Sequence, residues 1–342
     1  MKIDIYTHFL PPRFLEGFRK RVCDPYNLAA FYYRHQAEDK KERASIYDLK
    51  KRLQVMDKYP GLVHVLTPTG HTLEGYAKPD DAVYLSQVYN DELAELVQKY
   101  PDKFIAAVAC LPLNDIDATM KEIDRAIKEL GFKGIHVHTP INGRAIDLPE
   151  YWPIYEVMSK YDLPIWLHPT RHYTEPDYIG EDHAKYGLFQ VYGWPYATTL
   201  AMGRLVCSGL MGKYPNLKII THHAGAMIPF FTGRFRLLEC PYEHIDKMDD
   251  QSLSNKSPEY YFKRFYNDTA LYGNSSALRC ANDFFGADHM LFGTDAPYDW
   301  ASGEIFTNLT IEAIEGMGIS EADKKKIYED NARAILHLNI DK

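Results

Sequence analysis

Residues 2–9 read KIDIYTHF, a short strand-like run that ends at a histidine, His8. Three later runs have the same form, an apolar strand closed by a histidine or an aspartate. They are LPIWLHP (163–169) with His168, LKIITHHAG (217–225) with His223, and HMLFGTDAP (289–297) with Asp295. In a (β/α)8 barrel the C-terminal ends of the strands form one rim, where the active site is built. The repeated pattern therefore predicts that these four polar side chains lie together.

Eight short apolar runs are predicted to be strands, and most are followed by a segment of helical period. The runs are residues 2–9, 62–69, 104–112, 132–139, 164–169, 217–225, 264–272 and 289–297, and the helical patterns are 81–99, 117–130 and 149–161. A capping box, Ser320 to Asp323, predicts a last helix through Leu338. Alternating strands and helices favour a parallel sheet, and eight strands favour its closure. The predicted fold is an α/β (β/α)8 TIM barrel that occupies residues 1–342 as a single domain.

Two long stretches interrupt the strand-helix repeat. Residues 10–60, after strand one, carry many aromatic and charged side chains and include a helical pattern near 44–58. Residues 170–215, after strand five, include a predicted helix near 196–212. Barrels place lids and specificity elements in such loops. We expect residues 10–60 to be a capping insertion that lies over the barrel mouth.

Bulk composition argues against several classes of function. The net charge is -8 and no block of Lys or Arg stands out, which disfavours nucleic-acid binding. No run is long and apolar enough for a signal peptide or a membrane span. The five cysteines form no CxxC pair and are odd in number, as is typical of reduced thiols. We therefore expect a cytoplasmic protein with neither a nucleic-acid nor a membrane partner.

Alternation along the strands predicts which side chains face the barrel interior. Strand one is expected to turn Tyr6 and His8 inward, and its isoleucines outward toward the helices. In strand six, His222 and His223 point to opposite faces, so at most one of them is expected in the site. Buried histidines are usually hydrogen-bonded core residues, and that interpretation is given to His64, His71 and His136.

The ordered motifs together resemble a known family. They run from MKIDIYTHFLP through HVHTPINGRAIDLPEYWPIYE, LPIWLHP, HHAGAMIPFFTGRF and MLFGTDAPY to NARAILHL, and they span nearly the whole chain. This set is similar to the decarboxylase-rich branch of the amidohydrolase superfamily, whose barrels are of the metal-dependent hydrolase type. That branch includes the aminocarboxymuconate-semialdehyde, γ-resorcylate and 5-carboxyvanillate decarboxylases.

The resemblance implies a metal centre. His168 and Asp295 match the family's metal ligands on strands five and eight, and His8 matches the second ligand of strand one. These three residues are expected to hold one divalent metal ion, zinc or manganese, and Asp295 is also expected to transfer a proton. His223 matches a histidine that contacts substrate or a metal-bound water, and the AGAMIP that follows it favours His223 over His222.

The resemblance also implies substrate contacts and a second subunit. His138 occupies the position of a substrate-contacting asparagine in some members. Arg234, in TGRF, matches an arginine that in some members enters the neighbouring subunit's active site and binds the substrate carboxylate. A homodimer or a dimer-based oligomer is therefore expected, with a small-molecule carboxylic acid as substrate.

Tyr6 departs from the family pattern, in which strand one ends in two metal ligands one residue apart. Three readings remain open. A tyrosinate could ligate the metal, or Tyr6 could hydrogen-bond substrate while His8, His168 and Asp295 hold the metal, or metal binding could be lost. We favour the second, because three protein ligands and an open position are usual for a catalytic metal.

The leading functional hypothesis is a metal-dependent, non-oxidative decarboxylase, a carbon–carbon lyase acting on a small aromatic or conjugated cyclic carboxylic acid. Asp295 is the expected proton donor, because burial raises the pKa of a carboxyl group. The alternative is a hydrolase or hydratase in which His223 activates a water on the same metal. A third hypothesis is a binding protein that lost a ligand at Tyr6 and has no turnover.

Overall fold

Seven short parallel strands form the wall of a barrel in the computed structural model, which describes residues 1–22, 41–69, 73–238 and 256–339. Three pair in the order β1-β2-β3 and four in the order β4-β5-β6-β7. Their bounds are β1 Lys2–His8, β2 Leu62–Thr67, β3 Phe104–Ala107, β4 Ile135–Thr139, β5 Ile165–Pro169, β6 Ile219–Thr221 and β7 Tyr266–Asn267.

Bridges join the two sheets into one ring. Ala109 pairs with Ile135 between β3 and β4. On the other side the segment 290–296 links β7 to β1, since its ends pair in parallel with Asn267 and Thr7. The predicted TIM barrel is therefore confirmed, although its eighth strand is not a regular ladder. Asp295 has a left-handed φ of 62°, which ends the extended run at the rim.

Helices follow the strands around the outside. They are α1 Pro12–Arg21, α2 Leu49–Met56, α3 Pro79–Lys99, α4 Ile116–Lys128, α5 Trp152–Tyr161, α6 Trp194–Cys207, α7 Leu210–Lys213, α8 Pro258–Phe262, α9 Ser275–Phe285, α10 Glu304–Glu315, α11 Glu321–Lys325 and α12 Asn331–Ile335. Ser320 caps the helix as predicted, because its hydroxyl accepts from Asp323 N. The last helix is not continuous to Leu338, since a π-helical turn separates α11 from α12. Among the described residues, no helix is both long and apolar enough to cross a bilayer.

Strand one follows the predicted alternation only in part, since the rings of Tyr6 and His8 lie together, 5.5 Å apart, but its isoleucines do not lie on the opposite face. Its register against β2 shifts between Asp4 and Thr7, and such a bulge moves side chains to the other face. Ile5 and Tyr6, expected on opposite faces, pack in one buried cluster with Trp166. The Trp166 Nε1 donates to Ile5 O at 2.9 Å, which ties β5 to β1 across the interior.

The described part of the insertion after strand one is anchored to the barrel. Arg52 on α2 is buried; its Nε donates to Ser45 O at 3.0 Å and its Nη2 donates to the His8 carbonyl. The Ser45 hydroxyl donates to Ser302 O at 2.7 Å. Residues 23–40 of the insertion lie outside the described residues, so the capping role of residues 10–60 and the single-domain extent stay predictions.

Candidate active site

Three buried imidazoles converge at the C-terminal rim of the barrel. Ring nitrogens of His8, His168 and His222 lie within 4.8 Å of one another, and each side chain is almost fully buried. A second group within the same limit contains His222, His223 and Asp295. The structure thus brings together the four residues at the strand ends and adds His222.

Each of the first three rings has its Nδ1 engaged by an acceptor. His8 Nδ1 is 2.5 Å from Pro68 O, and His168 Nδ1 is 2.7 Å from the carbonyl of the next residue. The Nδ1 of His222 contacts the Asp268 carboxylate. Carbonyl and carboxylate oxygens only accept hydrogen bonds, so each Nδ1 carries a proton and Nε2 is the atom through which each ring can bind a metal ion. Metal-binding histidines are commonly held in this way.

Asp295 joins the two groups. Its Oδ1 is 3.1 Å from His8 Nε2 and 3.3 Å from His222 Nε2, and its Oδ2 accepts a 2.6 Å hydrogen bond from the Tyr272 hydroxyl. Burial raises the pKa of this carboxyl, but the close contacts with the His222 and His8 imidazoles outweigh burial and hold the pKa well below its usual range. The expectation that burial leaves Asp295 with a raised pKa is therefore wrong.

Asp268 is a site residue that the sequence reasoning missed. It directly follows β7, the same position in the repeat that singled out the other strand ends. Its Oδ1 accepts from Ala224 N at 2.9 Å and from Ala270 N at 3.1 Å, while its Oδ2 contacts His222. Burial lowers the pKa of His222, but Asp268 and Asp295 outweigh burial and raise that pKa to about 10.

A left-handed turn after β6 brings the rings of His222 and His223 together at the rim of the barrel. β6 ends at Thr221, and residues 223–226 all have φ between 53° and 76°. The two rings therefore lie 3.9 Å apart, and the expectation that they point to opposite faces is wrong because alternation ends with the strand. Gly225 is required here, since a Cβ would lie 2.5 Å from the Phe285 ring.

His223 and His138 flank the metal-binding group of His8, His168, His222 and Asp295 as neutral imidazoles. Burial is the main reason that the pKa of each is lowered to about 3. Neither His223 Nδ1 nor His138 Nε2 has a hydrogen-bond partner among the described residues. The His223 ring centroid lies 3.9 Å from that of His222, and the His138 ring centroid lies 5.9 Å from that of His168. Unpaired buried nitrogens are costly, which favours their use by a bound ligand.

Tyr6 lies beneath the imidazoles. It is fully buried, its ring stacks on His222 with centroids 4.1 Å apart, and its hydroxyl has no hydrogen-bond partner among the described residues. Burial, together with the nearby Asp268 and Asp295 carboxylates, raises the pKa of the phenol well above its usual value. With no metal ion beside it, the phenol therefore keeps its proton.

Two of the histidines assigned to the core differ in their surroundings. His64 Nδ1 lies 3.4 Å from the Arg52 guanidinium, as expected for a core histidine with a polar partner. His136 has no partner at either ring nitrogen among the described residues, and its ring lies 5.4 Å from that of His168. His136 is therefore a buried residue, as expected, but it lacks the hydrogen bond of that interpretation and borders the metal-binding group. His71 lies outside the described residues.

A cavity of about 390 Å³ opens beside the C-terminal ends of β4 and β5. Thr139, Arg171 and Gly193 are among its lining residues. The Trp194 ring lies 5.8 Å from the His168 ring, and its Nε1 donates to Arg171 O at 2.8 Å. The excursion after strand five therefore forms a wall beside the site.

Arg234 lies apart from the histidines. It belongs to a 3-10 helix, Thr232–Leu238, and its side chain is exposed. No contact between Arg234 and the metal-binding group is found within the described ranges.

The donor set fits a divalent metal ion. Buried imidazole nitrogens and a carboxylate oxygen are ligands that zinc and manganese both accept. The engaged Nδ1 atoms fix the orientation of the rings, so the group is arranged before any ion binds. The expectation of zinc or manganese agrees with this chemistry.

The chain is similar to known proteins over nearly its whole length. A family model described as amidohydrolase matches residues 3–338. Gamma-resorcylate decarboxylase from Polaromonas sp. JS666 is 31% identical, with 87% of this chain and 90% of that protein covered. The 2-amino-3-carboxymuconate-6-semialdehyde decarboxylase of Dictyostelium discoideum is 28% identical, with 100% and 93% covered.

A solved structure extends the comparison to the fold. It is a dihydroxybenzoic acid decarboxylase from Polaromonas sp. JS666 with bound manganese and the inhibitor 2-nitroresorcinol. The TM-score is 0.79 at 26% identity, with 99% of this chain and 98% of that chain covered. These similarities confirm the resemblance seen in the sequence motifs.

Proposed function

This chain belongs to the amidohydrolase family, and on that premise we propose that it is a metal-dependent, non-oxidative decarboxylase of a small aromatic or conjugated cyclic carboxylic acid. The observation that carries the proposal is the buried group of imidazoles and a carboxylate at the barrel rim. It occurs in a chain whose similar proteins include decarboxylases, one of them with bound manganese.

His8, His168 and Asp295 are assigned to the metal ion. A bound divalent ion polarises a substrate oxygen and fixes its position. The assignment is supported by the engaged Nδ1 atoms of the two histidines, which make Nε2 the atom that can bind an ion, and by the 3.1 Å distance from Asp295 Oδ1 to His8 Nε2.

Decarboxylation needs one proton, delivered to the carbon that bears the carboxylate. The bond to the carboxylate then breaks, its electron pair returns to the conjugated system, and CO2 leaves. Asp295 is assigned to this transfer. Because its pKa is low, Asp295 must first take up the proton, and a substrate hydroxyl beside the carboxylate can supply it. The Tyr272 hydroxyl, 2.6 Å from Oδ2, orients the carboxylate for both transfers.

Substrate contacts are assigned to His223, His138 and Tyr6. His223 and His138 are supported by their unpaired buried nitrogens, which can donate to or accept from substrate oxygens. His223 has the catalytic role of orienting the substrate, and its neutral imidazole suits a hydrogen bond rather than a fixed charge. Tyr6 is supported by its buried hydroxyl, for which no partner is found in the described parts of the chain.

A homodimer, or an oligomer built from it, is proposed through the face that carries Arg234. Phe230, four residues earlier, is 77% exposed, and Leu200 on the neighbouring α6 is 52% exposed. A hydrogen bond from Met227 N to Thr199 Oγ1 holds the two segments together. Exposed apolar side chains grouped in this way are typical of a protein interface. Arg234 is then available to bind substrate in the partner's site.

A cytoplasmic location is part of the same proposal. Its support is chemical, because Cys110, Cys207 and Cys280 are free thiols. Unpaired cysteines are typical of reducing compartments.

Release of CO2 tests the proposed reaction. Protein loaded with Mn²⁺ or Zn²⁺ is incubated with a panel of hydroxybenzoates and conjugated dicarboxylates, and CO2 and product are quantified. We expect CO2 release that a chelator abolishes and added metal restores. Activity that survives complete metal removal contradicts the metal dependence. Incorporation of ¹⁸O from water, with the carboxylate retained, identifies a hydrolase or hydratase instead, and binding without turnover identifies a binding protein.

Mixed oligomers test the shared site. Arg234→Ala is expected to raise KM about tenfold through the lost carboxylate contact, with kcat less affected. Co-expression of Arg234→Ala with His223→Asn chains should restore part of the activity, since one site in a mixed dimer is intact. Absence of any complementation, or a monomer by light scattering, contradicts this assignment.

A further inference from the structure

The rim holds one imidazole more than the proposed metal shell of His8, His168 and Asp295 uses. His222 belongs to both groups of potential ligands, one with His8 and His168 and one with His223 and Asp295. It is the residue that links the two groups, and the proposed reaction gives it no role.

The spacing around Asp295 Oδ1 is that of ligands on one ion. Ligands about 2.1 Å from a metal lie about 3.0 Å apart as neighbours in an octahedron and about 3.4 Å apart in a tetrahedron. Asp295 Oδ1 is 3.1 Å from His8 Nε2 and 3.3 Å from His222 Nε2. The Nε2 atoms of His222 and His8 therefore lie at similar distances from this carboxylate oxygen, and both distances fit two ligands of one ion.

The Nε2 atom of His222 is positioned as a potential metal ligand. His222 Nε2 is buried and has no aligned hydrogen bond among the described residues, although Asp295 Oδ1 is near. Its Nδ1 already faces the Asp268 carboxylate. A nitrogen lone pair that faces a buried carboxylate oxygen is unfavourable unless a cation, either a proton or a metal ion, lies between them.

Asp268 holds His222 as carboxylates hold metal-binding histidines. Backbone amides of Ala224 and Ala270 fix the second oxygen of Asp268, so the carboxylate that contacts the ring is held in place. On its face the ring is held by Tyr6, with the two planes 19° apart. The ring is thus oriented before any ion binds.

We propose that His222 is a fourth protein ligand of the metal ion, oriented by Asp268, and that it takes the coordination position that Tyr6 does not fill. The inference rests on the proposed metal dependence. His223 stays outside the shell, because its Nδ1 has no orienting acceptor among the described residues. Asp268 is a positioning residue that acts through His222.

Counting imidazoles around the metal tests the inference on the unaltered protein. Zinc-loaded protein is measured by X-ray absorption, whose multiple scattering reports the number of histidine ligands. Three imidazoles are expected, and two overturn the inference while leaving the metal-dependent decarboxylase intact. Failure to bind about one metal per subunit contradicts both.

Matched variants identify the third imidazole. His222→Asn should bind Mn²⁺ at least ~100-fold more weakly and show two imidazoles, whereas His223→Asn should keep three and change affinity less than about threefold. Asp268→Asn should weaken binding about 10- to 100-fold with the imidazole count retained. Affinity is measured by competition with a chelator, and circular dichroism verifies the fold. Unchanged affinity and imidazole count in His222→Asn, or loss of the third imidazole with His223→Asn instead, overturns the inference.

Discussion

The strand-one side of the rim and the side formed by strands six and seven hold their polar residues differently. On the first side His8 is a single potential ligand, and Tyr6 beside it has a buried hydroxyl for which no described residue is a partner. On the second side His222 is oriented by the Asp268 carboxylate. Because all strand ends of a barrel face the same space, a ligand can be supplied from either side. The ligand set is therefore defined by the rim and not by one motif.

Asp295 connects the two sides, so its substitution should have the largest effect. Asp295→Asn keeps the shape but removes the charge that faces His8 and His222, and it removes the proposed proton carrier. We expect kcat to fall about 10³-fold or more, measured as CO2 release. Tyr272→Phe, which keeps the carboxylate and loses one hydrogen bond, should cost about tenfold. Equal effects of the two variants would contradict the special role of the carboxylate.

Placing an imidazole on strand one, in place of the one at His222, tests whether either side of the rim can supply the third histidine ligand. Tyr6→His places an imidazole two residues before His8, next to the ring of His222. In the His222→Asn background we expect this change to recover at least ~10-fold in Mn²⁺ affinity, because the rim again offers three imidazoles. The measurement is the chelator competition described above. A double variant that binds no better than His222→Asn would show that the two sides are not interchangeable.

Removing only the Tyr6 hydroxyl should have a smaller effect. Tyr6→Phe keeps the ring that stacks on His222 and removes a buried hydroxyl for which no partner is found in the described chain. Stability should change by less than about 1 kcal/mol, because no hydrogen bond is lost. If Tyr6 contacts substrate, KM rises about tenfold while metal affinity stays the same. An unchanged KM would contradict the proposed contact between Tyr6 and the substrate.

The smallest expected effect concerns His64, a core histidine outside the rim, and the pH dependence of stability that it causes. Burial, and then the charge of Arg52, hold the pKa of His64 well below its ordinary value of 6.5. The unfolded chain therefore binds a proton below about pH 6.5 that the folded chain does not, so stability falls as the pH falls through this range. Urea unfolding at pH 7 and pH 5.5, with chelator present, should show a smaller loss for His64→Asn than for the unaltered protein. An equal loss of unfolding free energy in both proteins would exclude His64 as a source of the pH dependence.

The fold was largely predictable, because hydrophobic period and strand-end polarity are local properties of the sequence. The bulge between Asp4 and Thr7 was not, since register depends on the neighbouring strand. Alternation predicts only one of His222 and His223 in the site, and AGAMIP favours His223, but alternation does not extend past Thr221, where a left-handed turn begins. Asp268 could have been found, since it follows β7 as Asp295 follows the eighth run. The low pKa of Asp295 depends on which imidazoles fold against it, which sequence alone does not give.

Isotope labelling tests the central claim, metal-dependent decarboxylation, most directly. Mn²⁺-loaded protein is incubated in D2O with carboxyl-¹³C-labelled hydroxybenzoates, including 2,6-dihydroxybenzoate, and analysed by mass spectrometry and NMR. The account predicts one ¹³CO2 per product and one deuterium on the carbon that carried the carboxylate. Products that retain the ¹³C label, or no metal-dependent turnover of any acid in the panel, would contradict it.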